Sequence, residues 1–421
     1  MRKLMSLLCV APLMLSGCGG PHDSSLSADS PVEIQVWHYW DGTNADVFDS
    51  FVDEFNASHK DVRVETVVVP NSDFLTKVRA SATSDTLPDI AIGDLVWAPQ
   101  IVKMGKSADL DSIIDRQIFN DLNPALESFG KTGGVHTSIP VSANNLAYMY
   151  NKDLFVEAGL DPDNPPETWE ELEADAQLIH DKTGKPGYDL FTEAGDNGEG
   201  LTWNFQVSLW QAGGEFLTKD NSAAAFNTPE GKKALDYWLK LIKTDASPYA
   251  KWGEFEKGQG GSAQEGSWMV GIWSQDPPFD FGVAQLPTML PGKQATNLGG
   301  EQAVVFANDE KKVKASGEFL NWFLQKKNVI EWNKKTGFIP VTKSAISDQE
   351  YIDWVQVAEP RLLPYVEQME FAHTRPNTPL YPKISFAFAK ELEKAFAGEV
   401  DAEDALEKAE KAVNEIIAQA K

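Results

Sequence analysis

Cysteine is nearly absent from this chain of 421 residues, which carries only Cys9 and Cys18, both close to the first residue. The rest of the chain has no thiol for a disulfide or for a thiolate metal site. Histidine is also scarce. The six histidines are scattered along the chain, and none are paired at the spacing of metal ligands. The sequence therefore predicts no metal site and no cofactor.

Basic residues are few. The chain has 37 Lys and Arg against 63 Asp and Glu, which gives a formal net charge of −26. Such an acidic surface argues against nucleic acid or anionic lipid as a partner and favours a soluble protein that meets its ligand freely. We expect no nucleic-acid partner and a monomer.

Catalytic motifs are missing too. The sequence holds no HExxH, no GxSxG, no P-loop and no calcium-loop spacing. The stretch Gly258-x-Gly260-x-x-Ala263 matches a dinucleotide fingerprint only superficially, because no apolar strand precedes it. Acidic residues are too numerous for counting to exclude a glycosidase pair, but nothing singles one pair out. We predict a binding protein rather than an enzyme, with a carbohydrate-active enzyme as an alternative.

No long hydrophobic run follows the first residues. Arg2 and Lys3 precede an apolar stretch from Leu4 to Leu15 that is too short to span a bilayer permanently. Leu15-Ser16-Gly17-Cys18 then matches the bacterial lipobox. We predict a lipoprotein signal peptide over 1–17, lipidation of Cys18 and a flexible tether over 18–32. The alternative is an ordinary secretory leader with a chance cysteine.

The first part of the mature chain has the pattern of a parallel sheet covered by helices. Strand patterns at Glu33–Trp37, Val62–Val69 and Asp89–Ile92 alternate with two helical patterns. Ligands of such sheets bind beyond the carboxyl ends of the strands. Those ends carry Trp40-Asp41 and Asp94 through Trp97.

The stretch Ile139–Trp169 divides the chain. It holds an apolar strand pattern over Leu146–Tyr150, then YNKDLF, and then PPETWEEL, in which Thr168 and Glu171 form a capping box. This order resembles the lobe-crossing segment of the extracellular solute-binding proteins that serve sugar ABC transporters. Two later stretches, Phe255–Trp273 and Thr336–Val341, resemble the same family, although Gln264-Glu265 departs from its Ala-Met pattern.

The resemblance implies an α/β, two-lobed, periplasmic-binding-protein-like fold of the type II kind, in which each lobe is a mainly parallel sheet flanked by helices. The chain would cross the hinge three times, with lobe 1 over 33–142 and 283–333 and lobe 2 over 146–280 and 337–421. It implies a lipid-anchored extracytoplasmic protein that captures an oligosaccharide between its lobes and delivers it to a membrane permease. Polyamine, metal or glycerol phosphate binding stays open as an alternative.

The expected sugar site combines aromatic side chains, which stack on pyranose faces, with polar groups that bind vicinal hydroxyls. Trp40 and Trp97 follow strands in loops, where core packing explains a large aromatic less readily. Asn144 lies in the crossing segment, where the family often places a polar ligand contact. The full set of candidates is Trp40, Asp41, Asp94, Trp97, Asn144, Trp203, Trp273, Gly299, Gly300, Glu301 and Arg375.

Overall fold

The computed structural model describes residues 30–250, 252–273, 276–290 and 292–420. The predicted signal peptide, Cys18 and most of the predicted tether lie outside these ranges. The strands are β1 (Val32–His38), β2 (Val62–Val68), β3 (Ile90–Asp94), β4 (Lys131–Thr132), β5 (Val135–His136), β6 (Ile139–Asn144), β7 (Leu146–Asn151), β8 (Ser262–Gly266), β9 (Phe281–Ala284), β10 (Thr296–Val305) and β11 (Ala372–Thr374).

The helices lie between these strands and after them. They are α1 (Gly42–Ser58), α2 (Asn71–Ser84), α3 (Ala98–Lys103), α4 (Arg116–Asp121), α5 (Pro124–Phe129), α6 (Lys152–Ala158), α7 (Trp169–Thr183), α8 (Glu199–Gln211), α9 (Pro229–Lys243), α10 (Trp268–Ile272), α11 (Glu310–Phe323), α12 (Lys326–Thr336), α13 (Lys343–Ile346), α14 (Gln349–Val357), α15 (Leu363–Glu367), α16 (Tyr381–Phe396) and α17 (Ala402–Gln419). Short 3₁₀ helices cover Leu95–Trp97, Leu110–Ser112, Pro360–Leu362 and Gln368–Phe371.

The sheet of the first lobe grows from the predicted β-α-β-α-β unit. Its strands run in the order β11-β10-β3-β1-β2, and β6 also pairs with β10. The pairs β1–β2 and β1–β3 are parallel, as the helical connections require, whereas β10 is antiparallel to β3 and β6. The buried face of α1, with Phe48, Phe51, Val52 and Phe55, covers this sheet, as its helical spacing predicts.

The second lobe differs from the expectation. Its sheet has the order β8-β7-β9, and both pairs are antiparallel, so the expectation of a mainly parallel sheet is wrong for this lobe. The central strand β7 is buried along its whole length, which its unbroken apolar run predicts. The capping box also forms, because Thr168 Oγ1 accepts from Glu171 N–H and Glu171 Oε2 accepts from Thr168 N–H.

Two of the expected hinge crossings lie elsewhere. The strand Phe281–Ala284 pairs with β7, so it belongs to the second lobe, and the chain returns to the first lobe along β10. Thr336–Val341 does not re-enter the second lobe either. Ile339 pairs with Ala143, and Ser344 binds Asp121, so the chain stays with the first lobe until after α14. The backbone hydrogen bonds to Ala143 and Asp121 determine the lobe to which this segment belongs, and the local sequence pattern does not show them.

The lobes meet closely where α10 passes the end of α12. A Cβ built on Gly271 would lie 2.2 Å from the Thr336 carbonyl oxygen, and one on Gly337 would lie 2.5 Å from that of Ser267. Gly337 also ends α12 in the left-handed region, with φ +74°. Glycine is therefore needed at both positions, by contact at the first and by contact and conformation at the second.

Candidate functional site

A cavity of about 730 Å³ lies between the lobes, next to the junction of β6 and β7 at Asn144 and Leu146. Its walls come from the loops after β1 and β3 in the first lobe and from α8, β8 and α10 in the second. The lining residues are Tyr39, Trp40, Asp41, Asn44, Asn71, Asp94, Asn144, Leu146, Phe191, Asn197, Glu199, Gly200, Trp203, Asn204, Trp252, Glu256, Gln264, Glu265, Trp268, Met269, Ile272, Trp273, Glu301, Phe338 and Arg375. The volume is typical of a small-molecule site.

Most of the predicted site residues meet in this central cavity. Those that line it are Trp40, Asp41, Asp94, Asn144, Trp203, Trp273, Glu301 and Arg375. They come from seven separate parts of the chain, which the two sheets and the hinge bring to one place.

Arg375 is the central charge of the cavity. Its side chain is 1% exposed, and its guanidinium donates to Asp94 from the first lobe and to Glu199 at the start of α8. The Nη2–Oδ1 distance to Asp94 is 2.9 Å, and the Nη1–Oε1 distance to Glu199 is 2.6 Å. The guanidinium also lies 5.4 Å from the ring centroid of Trp203. This one cation therefore joins the two lobes across the cavity.

Glu301 is a buried acid beside this ion pair. Its Oε1 accepts a 2.6 Å hydrogen bond from the Tyr39 hydroxyl, and its Oε2 is buried with no partner in the described part of the chain. Burial raises the pKa of Glu301 to about 8, against the hydrogen bond from Tyr39, and the charge of Asp94 adds to the rise. Near neutral pH the group is mostly a neutral acid with an unused polar atom.

Asn144 forms the floor of the cavity. It ends β6, pairs with Gly299 across the sheet and is 5% exposed, and no described residue donates to its Oδ1. A Cβ on Gly299 would lie 2.1 Å from that oxygen. Gly300 has φ +136° and would bring a Cβ within 2.2 Å of the Ser142 carbonyl. Gly299 and Gly300 thus stand behind Asn144 instead of lining the cavity, and they allow β10 to pass close to it.

The second lobe supplies three aromatic rings that were not predicted from the sequence, Trp268, Trp252 and Phe191, beside the predicted Trp203. Trp268 stacks on Trp203 with centroids 5.6 Å apart and an interplanar angle of 15°, and Trp252 stacks on Phe191 with centroids 3.7 Å apart. All four rings are half-buried, so part of each faces the cavity. The sequence carries one signal for these rings, which is that aromatic residues cluster within 250–275 and beside α8. In the structure their partial exposure separates them from tryptophans that serve only the core.

Glu265 is a second buried acid and lies in the wall of the second lobe. Burial raises the pKa of Glu265 to about 8, and the nearby charge of Glu256 adds to the rise. Among the described lining residues, six carry carboxyl groups and Arg375 is the one base. The cavity is thus acidic, and its single cation is already paired with two carboxylates.

Trp97 lies outside the central cavity and lines the smaller cavity beside α2 instead. It is 7% exposed and packs between Phe74, at 5.5 Å, and Tyr39, at 5.4 Å between centroids. It is not among the residues that line the central cavity in the described chain. Its loop turns back into a 3₁₀ helix over Leu95–Trp97, and this turn directs the ring toward Phe74 and away from the central cavity.

A second large cleft lacks the features of the central cavity. A cleft of about 820 Å³ beside Asp163–Thr168 is lined by the second lobe alone, and its described lining residues include no aromatic ring. No cluster of three or more potential metal ligands occurs in the part of the chain that the structure describes. Within the same residues, none of the helices combines the length and the apolar character needed to cross a bilayer.

Comparison with known proteins agrees with this architecture. A family model described as bacterial extracellular solute-binding protein matches residues 50–359. The chain is 26% identical over 346 residues to the sn-glycerol-3-phosphate-binding periplasmic protein of Yersinia pestis, which is 76% of this chain and 76% of that one.

Solved structures are similar over nearly the whole chain. The cyclic α-maltosyl-1,6-maltose binding protein of Arthrobacter globiformis is 65% identical, with 93% of this chain and 100% of that chain covered and a TM-score of 0.84. The acarbose receptor of Streptomyces glaucescens is 20% identical with a TM-score of 0.82, over 93% of this chain and 100% of that one, which supports the fold alone. The two-lobed α/β fold is therefore confirmed, and the chain belongs to the bacterial extracellular solute-binding protein family.

Proposed function

We propose that the protein is the lipid-anchored binding component of a carbohydrate ABC importer and that it captures a neutral, glucose-based oligosaccharide in the central cavity. The observation that carries this proposal is the pairing of stacked indole rings with orphaned polar atoms in one cavity. Sugars present apolar ring faces and hydroxyls that both donate and accept. Trp203 with Trp268 suits the faces, and Asn144 Oδ1 with Glu301 Oε2 suits the hydroxyls.

The 65% identical relative supports the choice of glucose units, because its name states that it binds cyclic α-maltosyl-1,6-maltose. Walls from both lobes support capture by closure, since a ligand favours the closed form only through contacts that the open form lacks. Capture as a monomer, anchoring through Cys18 and release to a permease complete the proposal. We expect no turnover of the glycan.

Glycerol phosphate fits the cavity less well, although more distant relatives bear that name. A phosphate needs cationic donors to offset its desolvation. The single guanidinium among the described lining residues is already held by Asp94 and Glu199. No second cation is available among these residues to bind the anion.

A polyamine is the second candidate, because the excess of carboxyl groups in the cavity favours a cation. Two of these acids, Glu265 and Glu301, are mostly neutral near pH 7, since burial raises the pKa of each to about 8. This lowers the negative charge that a polyamine would meet.

Thermal-shift and calorimetric titration against three ligands would test the proposal: cyclic maltosyl-maltose, sn-glycerol 3-phosphate and spermidine. A ligand at about 100 times its Kd stabilises the folded state by about 2.7 kcal/mol, which a melting curve resolves. We expect the glycan alone to shift the curve and to be recovered intact. A shift with either other compound and none with glycans would refute the proposal.

A further inference from the structure

A second cavity adjoins the central one, and Trp97 is among its lining residues. It measures about 240 Å³ and lies between the lobes at the side of α2. Asn71, Asn197 and Glu199 line both cavities, so the two share a wall. A ligand in the central cavity therefore lies next to this second cavity.

The second cavity is built from two facing helices, one from each lobe. Ser72, Leu75, Thr76 and Arg79 follow one another at i, i+3, i+4 and i+7 on α2, so they form a single helical face. The start of α16 faces them, with Phe386 38% exposed. The wall thus offers an accessible aromatic ring opposite polar and aliphatic groups.

The loop before α8 closes this cavity on a third side and is held tightly. Gly198, with φ +75°, lies so near α16 that an added Cβ would be 2.6 Å from the Cα of Phe386. Asn197 Oδ1 accepts from Glu199 N–H, which leaves the Asn197 amide hydrogens for a ligand. The cavity therefore has a wall that is already in place before a ligand enters.

Its charges differ from those of the central cavity. Arg79 and Lys383 line it together with Asp196 and Glu199, so basic and acidic groups balance. In the described chain the Arg79 side chain makes one hydrogen bond, at 3.2 Å to Gln100, and the Lys383 ammonium makes no ion pair. These free N–H donors suit hydroxyl oxygens, and the balance of charge favours a neutral occupant.

We propose that the second cavity is an additional subsite that holds one hexose unit of an oligosaccharide whose other units fill the central cavity. The inference rests on the proposed function. An aromatic ring, amide and guanidinium donors and a neutral overall charge are what a pyranose ring requires. The small volume limits the occupant to a terminal or branching unit.

Filling the cavity tests the subsite. Thr76 is exposed on α2 and lines only the second cavity, so Thr76→Trp places a bulky ring inside it. Ala80→Trp is the matched control, because Ala80 is exposed on the same helix and lines neither cavity. Calorimetry with maltose, maltotriose, maltotetraose and maltohexaose would compare both variants with the wild type.

In the wild type we expect affinity to rise by about tenfold, equivalent to about 1.4 kcal/mol, at the chain length that first reaches the second cavity. Thr76→Trp should remove that rise and leave shorter glycans unaffected, while Ala80→Trp keeps it. Phe386→Ala, which removes the aromatic wall without adding bulk, should show the same length-selective loss.

Three results would overturn the inference. Thr76→Trp could bind every glycan as the wild type does, which would show that no unit enters the cavity. It could instead weaken all lengths equally, which would show a defect in closure. A wild type that binds none of these glycans and no cyclic maltosyl-maltose would refute the proposed function itself, and the subsite with it.

Discussion

Removing the guanidinium of Arg375 is the most direct test of how the cavity is held together. Arg375→Met keeps much of the volume but leaves Asp94 and Glu199 facing each other without a cation. Their side chains are 20% and 18% exposed, so solvent screens them poorly. Breaking a buried pair by removing one partner costs about 3–5 kcal/mol.

We expect the lower end of that range, about 3 kcal/mol near pH 7, because one of the acids can take up a proton. Burial already raises the pKa of Glu199 above its usual value, and the loss of Arg375, whose charge opposes this, would raise it further. An acid with a raised folded pKa binds more protons in the folded state, so stability increases as the pH falls. The loss should therefore be smaller near pH 5 than near pH 7.

Urea unfolding of the ligand-free protein, followed by tryptophan fluorescence at both pH values, would measure these losses. Arg63→Met is the matched control, since Arg63 pairs with Glu65 at a site where both side chains are more than half exposed. That variant should lose about 1 kcal/mol or less. Equal losses at the two pH values, or a loss for Arg375→Met no larger than for Arg63→Met, would refute the reasoning.

Four further predictions concern the cavity and the anchor. Trp203→Ala should weaken glycan binding by about 2 kcal/mol, as for an aromatic anchor in a desolvated pocket, in calorimetric titration. Asn144→Ala should cost about 1–3 kcal/mol of binding by leaving a ligand hydroxyl unpaired, while scattering still shows closure with saturating ligand. Because burial raises the pKa of Glu301 to about 8, wild-type melting temperature should fall as the pH rises toward and through 8, and Glu301→Gln should flatten that fall. Cys18→Ala should release the protein from the membrane fraction with unchanged affinity.

Each of these predictions has a result that contradicts it. Trp354, stacked on Tyr351 far along the first lobe, is the control for Trp203, and equal effects of the two substitutions on affinity would deny a stacking role. A steep pH dependence retained in Glu301→Gln would assign it to other acids such as Glu265. Membrane association of Cys18→Ala would exclude a lipid on that residue as the anchor. An unchanged radius of gyration in the saturated wild type would contradict closure.

The parts of the fold that sequence patterns predict well are local. The first strands and helices follow from the alternation of Ile34 and Val36 and from the helical spacing of Phe48 and Phe55, whose burial the structure confirms. The hinge crossings are harder to predict from the sequence, because a crossing is defined by the sheet that a strand joins. Phe281–Ala284 has the composition of a strand of either lobe, and only its pairing with β7 shows that it belongs to the second lobe.

Part of the candidate site can be predicted because a residue type is unusual in its local setting, and Asn144 because of its place in the crossing segment. Trp40, in a loop after a strand, drew notice for this reason and does line the cavity. Glu199 was not predicted as a site residue, because the helix dipole is enough to explain a carboxylate in the first turn of a helix. Its pairing with Arg375 joins residues separated by 176 positions, which no local pattern reports.

The contact between Gly271 and the end of α12 offers a way to tune the protein as a sensor. A single methyl group at Gly271 or Gly337 would act as a wedge between the lobes, because each Cβ would lie within 2.5 Å of a backbone oxygen across the gap. Neither glycine lines the central cavity in the described chain. A reporter with a fluorophore on each lobe could therefore have its working range moved to higher ligand concentrations by one such substitution. Its cavity would keep the same lining side chains, because neither substitution replaces one of them.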